Sequence, residues 1–521
     1  MLRGVPFKSK VAAKSSCHVA FLTTWPPRNC GIAEFSKSFV QGLFKTSLFT
    51  DNCSIEIIAL SISDAEEYRN DPLVTPLIID RTSPSAAFYD LAKYLNEGDR
   101  FTHLIIQQEF GITWCMWQFF DLVRWLKQSI QIITVVHAPL AYPTIEEKDL
   151  VYRLSLFSHK MVVMNWYGFH SLKHVYGVDS NKVYFIPHGV SLQISEEAHN
   201  EEFFSTIQPD DFIIFSNGLL HIHKGIERVL RILPAIVAKF KNVRFFIVGR
   251  ENAHFENYGM MSRFFKKARA LGVADHIKWI NAFVPRAELF KMFKRADLYV
   301  TMFNEVTPTS GTLLTAMSFG LPIISTPYRF AVEVLGSDRG VIVPFENNAE
   351  TLASFLSLIG NAEKRAEIGR KAFEFAKNWS WERVAEETSK LLLTQNNFIP
   401  LTADPFTEDS LVATDAAWTA SGVKGFNGVL SGASRNRTFK PMKVYTIFSN
   451  FCLQINAQID ESFKIVALGV KSHFRYYLIT PISIDYENIY NSIPVIEKEE
   501  KWQVDLNSRK LVFQNEQVKI D

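Results

Sequence analysis

The sequence has few cysteines, no excess charge of either sign and no long hydrophobic run. Its five cysteines are scattered over 521 residues without a CxxC pair, which disfavours a structural metal site and favours a reducing environment. Lysine and arginine number 56 against 54 acidic residues, so the net charge of +2 gives no signal for nucleic-acid binding. No apolar run is long enough to span a bilayer, and the basic N-terminal stretch 1–16 lacks the apolar core of a signal peptide. We expect a cytoplasmic protein without a transmembrane segment, and peripheral membrane contact and a specialised secretion route stay open.

What the chain does contain favours a large folded protein. Hydrophobic residues make up 47% and aromatic residues 13%, which argues against long disorder, and the length predicts at least two domains. Short apolar segments alternate with helix-length amphipathic ones, first at 18–24, 54–62, 103–110, 131–138, 160–165 and 182–189, then at 212–218, 242–249, 276–283, 296–302, 321–326 and 340–345. Such alternation is typical of parallel sheets covered on both faces, so two successive α/β, doubly wound domains of the Rossmann-like type are predicted.

The polar, acidic segment 191–211 reads as a linker between these two domains. Beyond residue 397 the composition changes to loop-like stretches with short strand-like segments. We predict an N-terminal domain at 1–190, a second domain at 208–378, a helix at 379–396 that packs back on the first domain, and an extension at 397–521 that forms a small β-rich module or an elaboration of the second domain.

Three predicted loops between a strand and a helix are suited to phosphate groups. The first, within 23–43, has Pro26 and Pro27 to stiffen a turn and Gly31 at the start of a helix, where free backbone N–H groups can bind a phosphate or a sugar hydroxyl. The second, SNGLLHIHKGIE (216–227), brings Lys224 to a helix start and so adds a full charge to the helix dipole. A tight turn and an ordinary surface lysine are the respective alternatives.

The third loop opens the segment NEVTPTSGTLLTAMSFGLPIIST (304–326). Thr309 or Ser310 is suited to cap the following helix, and Gly311 lets a ligand approach the first backbone amides. Helix capping alone also explains these small residues. Three such loops in two tandem domains nevertheless predict a common ligand cleft, because ligands of open parallel sheets bind beyond the carboxyl ends of the strands.

Five segments in this order resemble motifs of the retaining glycosyltransferases of family 4, which have the GT-B fold and use nucleotide sugars. The segments are WPPRNCGIAEF (25–35), QQEFG (107–111), IPHGV (186–190), HKGIE (223–227) and TSGTLLTAMSFGLPIISTPY (309–328). QQEFG is similar to an HEFG motif of one bacterial branch, and the last segment to the SGTL segment of that branch. The resemblance runs from about residue 18 to 395 and leaves the C-terminal tail uncovered.

The resemblance implies roles for individual residues. The implied contacts of the donor's phosphates are Gly31, Gly218, Lys224, Ser310, Gly311, Thr312 and Leu313. His137 is implied to lie close to the reacting sugar, with a structural role at a strand end as the alternative. Glu109 and Gly111 are implied to serve the acceptor side, with a loop-stabilising carboxylate as the alternative for Glu109. Glu333 is implied to approach the nucleotide, with a solvated helix face as the alternative.

The chain also departs from the family pattern. Many members carry two glutamates eight positions apart, one near the donor sugar and one on the ribose, where this chain has Thr307 and Thr315. A threonine can hydrogen-bond a hydroxyl but brings no charge, and Glu305 is the nearest carboxylate that could take over a catalytic role. An arginine that often precedes the lysine of the second loop is missing too.

The resemblance implies a hexosyltransferase that uses a UDP-, GDP- or ADP-hexose and acts without metal or another cofactor. The implied acceptor is a hydroxyl of a saccharide, a lipid or a protein. In the implied front-face reaction the departing diphosphate helps to take the acceptor's proton, so that the protein mainly stabilises charge and holds both substrates. The alternative is a non-catalytic protein that binds a sugar nucleotide or a glycan on the same scaffold, as the two threonines suggest. A phosphorylase is disfavoured, because no pyridoxal-phosphate lysine or free-phosphate pocket is recognisable.

Overall fold

The computed structural model describes most of the chain up to residue 393 and seven strands beyond it. The described residues are 17–28, 30–61, 68, 71–79, 84–110, 116–140, 143–192, 207–251, 259–303, 309–345 and 347–393, with the backbone of 442–448, 451–457, 463–471, 474–481, 502–505, 510–513 and 516–519. The chain forms two compact units, Met1–Leu140 with Tyr152–Pro405, and Ala141–Val151 with Phe406–Asp521.

The first domain contains a parallel sheet of seven strands. They are β1 (Cys17–Thr23), β2 (Cys53–Ser61), β3 (Val74–Ile78), β4 (His103–Gln108), β5 (Gln131–Val136), β6 (Lys160–Val163) and β7 (Val183–Phe185). Six helices accompany them: α1 (Gly31–Phe44), α2 (Ser47–Thr50), α3 (Pro84–Asn96), α4 (Met116–Trp125), α5 (Ile145–Phe157) and α6 (Trp166–His174). The central strands are apolar almost throughout because helices cover both faces of the sheet.

The second domain contains a parallel sheet of six strands. They are β8 (Phe212–Asn217), β9 (Val243–Val248), β10 (Ile277–Ile280), β11 (Leu298–Thr301), β12 (Ile323–Ser325) and β13 (Val341–Ile342). Its helices are α7 (Ile226–Lys239), α8 (Met260–Ala270), α9 (Arg286–Arg295), α10 (Gly311–Ser318), α11 (Arg329–Leu335), α12 (Asn348–Gly360) and α13 (Ala362–Lys377), followed by α14 (Trp381–Leu393). The predicted fold class of two doubly wound domains is confirmed.

The strand order determines where a ligand can bind. The first sheet has the order β3-β2-β1-β4-β5-β6-β7 and the second has β10-β9-β8-β11-β12-β13. In each sheet the chain first builds outward on one side and then returns to the middle to build outward on the other. The direction therefore switches between β1 and β4 and between β8 and β11, and crevices for ligands open at such switch points. The loops after β1, β8 and β11 are the three loops that the sequence suggested for phosphate binding.

Periodic apolar residues make the helices that cover the second sheet. In α7, Val229, Leu230, Leu233 and Ile236 are fully buried against the apolar strands of the sheet, as their spacing predicts. Gly225, with φ of 64°, precedes α7 in the left-handed region that glycine adopts without strain. The strand-to-helix turn is thereby tight enough to bring the preceding loop to the start of the helix.

The chain returns to the first domain through its last helix. Helix α14 packs on α1, where Gly42 leaves room, since a Cβ there would lie 2.7 Å from the carbonyl oxygen of Trp381. Lys45 and Glu382 form an ion pair of 3.0 Å across the contact. The chain crosses between the domains near Val190 and again near Trp379 and Trp381. These two crossings lie side by side, because the amide of Val190 donates to the carbonyl of Trp379 at 2.8 Å and its carbonyl accepts from the amide of Trp381 at 3.1 Å.

The C-terminal tail contributes seven strands in antiparallel pairings. Strands β14 (Met442–Phe448) and β15 (Phe451–Ala457) form one hairpin, and β16 (Phe463–Lys471) and β17 (Phe474–Pro481) form another. A three-stranded sheet follows, with β18 (Trp502–Asp505), β19 (Lys510–Phe513) and β20 (Glu516–Lys519).

Candidate active site

The start of α1 is open toward its surroundings. Cys30 caps the helix, with its Sγ accepting from the amide of Ala33 at 3.4 Å. At Gly31, no described atom lies within 4 Å of the place where a Cβ would stand. The missing side chain of Gly31 therefore leaves space among the described residues at the start of α1, and the binding of a phosphate or a sugar hydroxyl there stays a prediction.

Lys224 turns inward from the loop between β8 and α7. The residue is half-buried, and its Nζ donates to the carbonyl oxygen of Asn217 at 3.3 Å and lies 4.6 Å from the centre of the Phe303 ring. Burial lowers the pKa of this ammonium group to about 8, because the surrounding protein disfavours its charge. The alternative of an ordinary surface lysine does not fit this position, since the charged end of the side chain points to the end of β8.

Gly218 makes room for Lys224 and brings two loops together. A Cβ at Gly218 would lie 2.8 Å from Nζ of Lys224 and 3.7 Å from Cγ2 of Thr312 at the start of α10. Gly225, which precedes α7, has no side chain to cap the helix, and its carbonyl oxygen accepts from the amide of Arg228 at 2.9 Å. The ammonium group of Lys224 and the start of α10 thus meet around Gly218, where negative charge is favoured.

The start of α10 is capped by Ser310, one of the two predicted candidates. The Ser310 Oγ accepts from the amide of Leu313 at 3.3 Å, whereas the Oγ of Thr309 accepts from the side-chain amide of Asn165 at 2.8 Å. Thr315 donates its hydroxyl to the carbonyl of Gly311 at 2.8 Å. Because of this bond, the hydroxyl proton of Thr315 points to the backbone of its own helix.

His137 lies at the end of β5 and is buried. Its Nε2 donates to Oε1 of Gln107 at 2.5 Å, with the proton assigned to Nε2 because an amide oxygen can only accept. Burial, with a smaller contribution from the positive form of His188, lowers the pKa of His137 to about 3. The edge of the Phe35 ring packs on the imidazole at 4.8 Å between ring centres. His137 is therefore a neutral group at neutral pH.

His188 joins the two halves of the site, although the sequence reasoning did not select it. Its Nδ1 donates to the carbonyl of Gly189 at 2.7 Å, and Phe35 packs on its ring at 5.1 Å. Nε2 faces Gly311, where a Cβ would lie only 3.0 Å away. Burial lowers the pKa of His188 to about 4. The available signal was a histidine in the IPHGV segment, just after the last strand of the predicted first sheet.

Two charged residues of the second domain bind the first domain. Arg286, at the start of α9, donates to the hydroxyls of Ser38 on α1 and Ser191 in the crossing. Glu333 of α11 is buried, and its carboxylate accepts from the amide of Trp166 at 3.0 and 3.1 Å. The alternative of a solvated helix face for Glu333 is wrong, because this carboxylate caps α6. Neither contact was predicted from the sequence.

Several predicted site residues are placed without a test of their roles. Glu109 directly follows β4 and is half-buried. Gly111, Glu305 and Thr307 lie outside the described residues. Within the described part of the chain, no three side chains of His, Cys, Asp and Glu come together as metal ligands. None of the helices in that part is long and apolar enough to cross a membrane.

Comparison with solved structures identifies the architecture. A crystal structure of Anabaena Alr3699/HepE in complex with UDP and glucose matches with a TM-score of 0.57 at 12% identity, covering 72% of this chain and 99% of that one. A glycosyltransferase from Rickettsia africae ESF-5 matches with a TM-score of 0.58 at 14% identity, covering 73% and 99%. Together with the two parallel sheets, these matches define the GT-B fold.

Sequence comparison places the second domain more narrowly. The family model "Glycosyl transferases group 1" matches residues 198–375. Spore coat protein SA of Bacillus subtilis is 27% identical over 179 residues, which cover 33% of this chain and 46% of that protein. The D-inositol 3-phosphate glycosyltransferase of Segniliparus rotundus is 24% identical over 219 residues, covering 41% and 47%. The chain spans about half the length of these curated relatives, and residues 198–375 are similar to the group 1 glycosyltransferases.

Proposed function

We propose that this protein is a retaining glycosyltransferase that transfers a hexose from a UDP-, GDP- or ADP-hexose to a hydroxyl acceptor. The observation that carries the proposal is the meeting of the Lys224 ammonium group with the start of α10 around Gly218. Saccharide, lipid and protein hydroxyls are the acceptors within the proposal. Gly31 at the start of α1 and Leu313, whose amide lies in the first turn of α10, complete the proposed donor site.

The arrangement suits a diphosphate leaving group. When the bond to the sugar breaks, negative charge grows on the diphosphate, and a fixed ammonium group with helix starts stabilises it without reorganisation. A bound anion keeps Lys224 charged to higher pH, because the anion offsets the cost of burying the ammonium group. These groups supply the positive charge in the proposed reaction, which we propose to proceed without a metal or another cofactor.

His137 suits the sugar side of the site. The neutral imidazole is held by Gln107 and by the Phe35 ring, so its position is set before a substrate arrives. We propose that it contacts the donor sugar, with Glu109 on the acceptor side and Glu305, two positions before Thr307 in the sequence, as the carboxylate of the reacting centre. Domain closure around the substrates would exclude water and thereby suppress hydrolysis of the donor.

Known proteins of this fold support the choice of ligand. Anabaena Alr3699/HepE has been solved with UDP and glucose, and also with UDP-glucose. The relative from Segniliparus rotundus is named a glycosyltransferase. A UDP-hexose is therefore the first donor to test.

A non-catalytic protein that binds a sugar nucleotide or a glycan is the second candidate. The observation in its favour is Thr315, which stands where many relatives have a carboxylate and donates its hydroxyl to its own helix. Such a protein would bind nucleotides at the same loops and would not release sugar from the donor.

The test is a thermal-shift series with UDP, GDP, ADP and their hexose derivatives, followed by donor hydrolysis for each ligand that stabilises the protein. A ligand at a hundred times its dissociation constant stabilises the folded state by about 2.7 kcal/mol. NMR of the released sugar or the transfer product reports the anomeric configuration, and turnover that survives EDTA supports the metal-free reaction. Binding without sugar release with any offered acceptor favours the second candidate. No binding rejects the transferase and leaves only the glycan-binding form of the second candidate.

A further inference from the structure

The first domain exposes an unusual concentration of large apolar side chains. Twelve large hydrophobic side chains are exposed among the described residues, and half of them lie on the three neighbouring helices α3, α4 and α5. These six are Tyr89, Trp117, Trp125, Tyr152, Leu156 and Phe157, each between 38% and 57% exposed. We call these residues, together with the half-buried Phe120, the aromatic patch. Contiguous exposed apolar surface of this kind marks an interaction site on soluble proteins.

Helix α4 shows that the patch is more than the edge of the core. Its inward residues Phe119, Leu122 and Val123 are buried, with Phe119 packed against Phe88 of α3 at 5.6 Å between ring centres. Its outward residues Trp117 and Trp125 are exposed. A surface helix normally carries polar residues on its outward face. The outward tryptophans therefore contribute nothing to the core of the first domain that the inward residues do not already supply.

The rings of the patch are connected across the helices. Tyr89 contacts Trp125 at 5.5 Å between ring centres, which joins α3 to α4. Phe120 contacts Phe157 at 5.7 Å, which joins α4 to α5, and Trp117 at 6.4 Å within α4. The ring contacts thus form two groups, Tyr89 with Trp125 and Phe120 with Trp117 and Phe157, and both groups include residues of α4.

Cations lie over these rings. The Nζ of Lys93 is 4.4 Å from the centre of the Tyr89 ring, and the guanidinium groups of Arg124 and Arg153 are 5.3 and 5.9 Å from that of Phe120. Arg124 is 54% exposed and is only 4.0 Å from its acidic neighbour Asp121, which is a weak pairing in water. Apolar rings and solvated cations therefore share the same surface.

This combination distinguishes between two kinds of partner. The centre of a protein interface is enriched in aromatic residues and arginine but depleted of lysine, and each cation buried there requires a matching anion on the partner. The interface of a lipid bilayer receives aromatic rings at the level of the headgroups and supplies phosphates to the cations beside them. We infer that the aromatic patch docks the first domain on the surface of a membrane that contains anionic lipids.

The inference does not depend on the proposed function, because it rests on α3, α4 and α5 alone. The experiment is co-sedimentation of the full chain with vesicles of phosphatidylcholine, alone or mixed with phosphatidylglycerol. We expect binding to the mixed vesicles at low salt, weaker binding to the neutral ones, and release as salt screens the cations.

The variants separate the two contributions. The double variant Trp117→Gln with Trp125→Gln should lose binding about tenfold or more, because it removes the rings that enter the interface. Lys93→Gln with Arg124→Gln should lose the preference for anionic lipid and its salt dependence. The matched control is Leu271→Gln with Phe283→Gln, two similarly exposed apolar residues of the second domain, which should bind like the original protein.

Three results would overturn the inference. The first is the absence of sedimentation with either kind of vesicle. The second is binding that the tryptophan variant retains or that does not distinguish neutral from anionic vesicles. The third is self-association in size-exclusion chromatography with light scattering that the tryptophan variant abolishes, which would assign the patch to a second copy of the chain. All exchanged side chains are exposed, so each variant should keep the far-UV circular dichroism and unfolding temperature of the original.

Discussion

The backbone of Gly218 lies directly against the charged end of Lys224. A Cβ at Gly218 would stand 2.8 Å from Nζ, and the φ of 119° at this glycine is one that other residues rarely adopt. Any larger residue at position 218 would therefore move the ammonium group away from the start of α10. The glycine and the lysine act as one unit, and the first two predictions concern the lysine.

Lys224→Ala should lower turnover about 100-fold or more, by analogy with the loss of one donor to a transition-state anion. The reason is that this ammonium group, among the contacts described above, is the full positive charge that lies beside Gly218. Steady-state rates with the donor found by thermal shift measure the effect. Lys241→Ala, an exposed lysine of the same domain, is the control and should keep its rate. Equal rates in both variants would reject the assigned role.

The affinity for a nucleoside diphosphate should fall as the pH rises above about 8. Burial lowers the pKa of Lys224 to about 8, so the free protein holds its positive charge below that pH and loses it above. Calorimetric titration with UDP, or with whichever diphosphate binds, from pH 6 to 10 would show the decline. Lys224→Arg should flatten this limb, because a guanidinium group keeps its charge over the whole range. A decline that the arginine variant keeps would have to come from another group.

The folded state should lose stability as the pH falls below about 6.5. The pKa of His137 drops from its ordinary value of 6.5 to about 3 on folding, so between these values only the unfolded chain takes the proton. The loss is about 1.4 kcal/mol per pH unit for each such histidine, and His188, with a pKa of about 4, adds to it. Urea unfolding at several pH values measures the slope. His137→Gln should reduce it, and a slope that this substitution leaves unchanged would contradict the assignment.

Gly249→Ala should destabilise the protein severely. A Cβ at this position would lie 1.9 Å from the carbonyl oxygen of Gly218, and the φ of 143° is itself unfavourable for alanine. We expect a loss of about 3 kcal/mol or more, since the overlap is with backbone and cannot be relieved by a rotamer change. The control Gly272→Ala shares a positive φ, of 68°, but meets no described atom within 4 Å and should cost only about 1 kcal/mol. Similar losses in both would contradict the predicted overlap.

Glu333→Gln should weaken the contact between α11 and α6. The carboxylate accepts from the amides of Trp166 and Tyr167 at the start of α6, where a negative charge also interacts favourably with the helix dipole. Loss of the charge should cost about 1–2 kcal/mol of unfolding free energy. Glu374→Gln removes an exposed carboxylate that pairs with Lys377 and should change stability by less than about 0.5 kcal/mol. An unfolding free energy that Glu333→Gln leaves unchanged would show that the amides at the start of α6 need no charged partner.

Local patterns in the sequence predicted what depends on local structure. The apolar strands and the spacing of Val229, Leu233 and Ile236 were sufficient for two parallel sheets and their helices. Gly218, Lys224 and Gly311 could be selected because each lies at a junction between a strand and a helix. Such junctions are readable from a single sequence, since glycine and lysine there have specific physical uses.

Contacts between the domains were beyond the reach of such patterns. His188 faces Gly311 across more than a hundred residues of chain, and Arg286 reaches Ser38 from the other domain. Nothing in the neighbourhood of these residues in the sequence indicates the partner. The alternative of a solvated helix face for Glu333 was wrong for the same reason, because a helix face that looks solvated in isolation is covered by the start of α6.

The return of α14 to α1 makes the second domain an insertion in the first. A single proteolytic cut within 193–206 would divide the chain into two fragments, yet the later fragment would still carry the helix that seals α1. The two fragments should therefore stay together after nicking and separate only on denaturation. Any relative rotation of the domains must also bend both crossings at once, near the hydrogen bonds of Val190 to Trp379 and Trp381. The two crossings therefore form a double hinge.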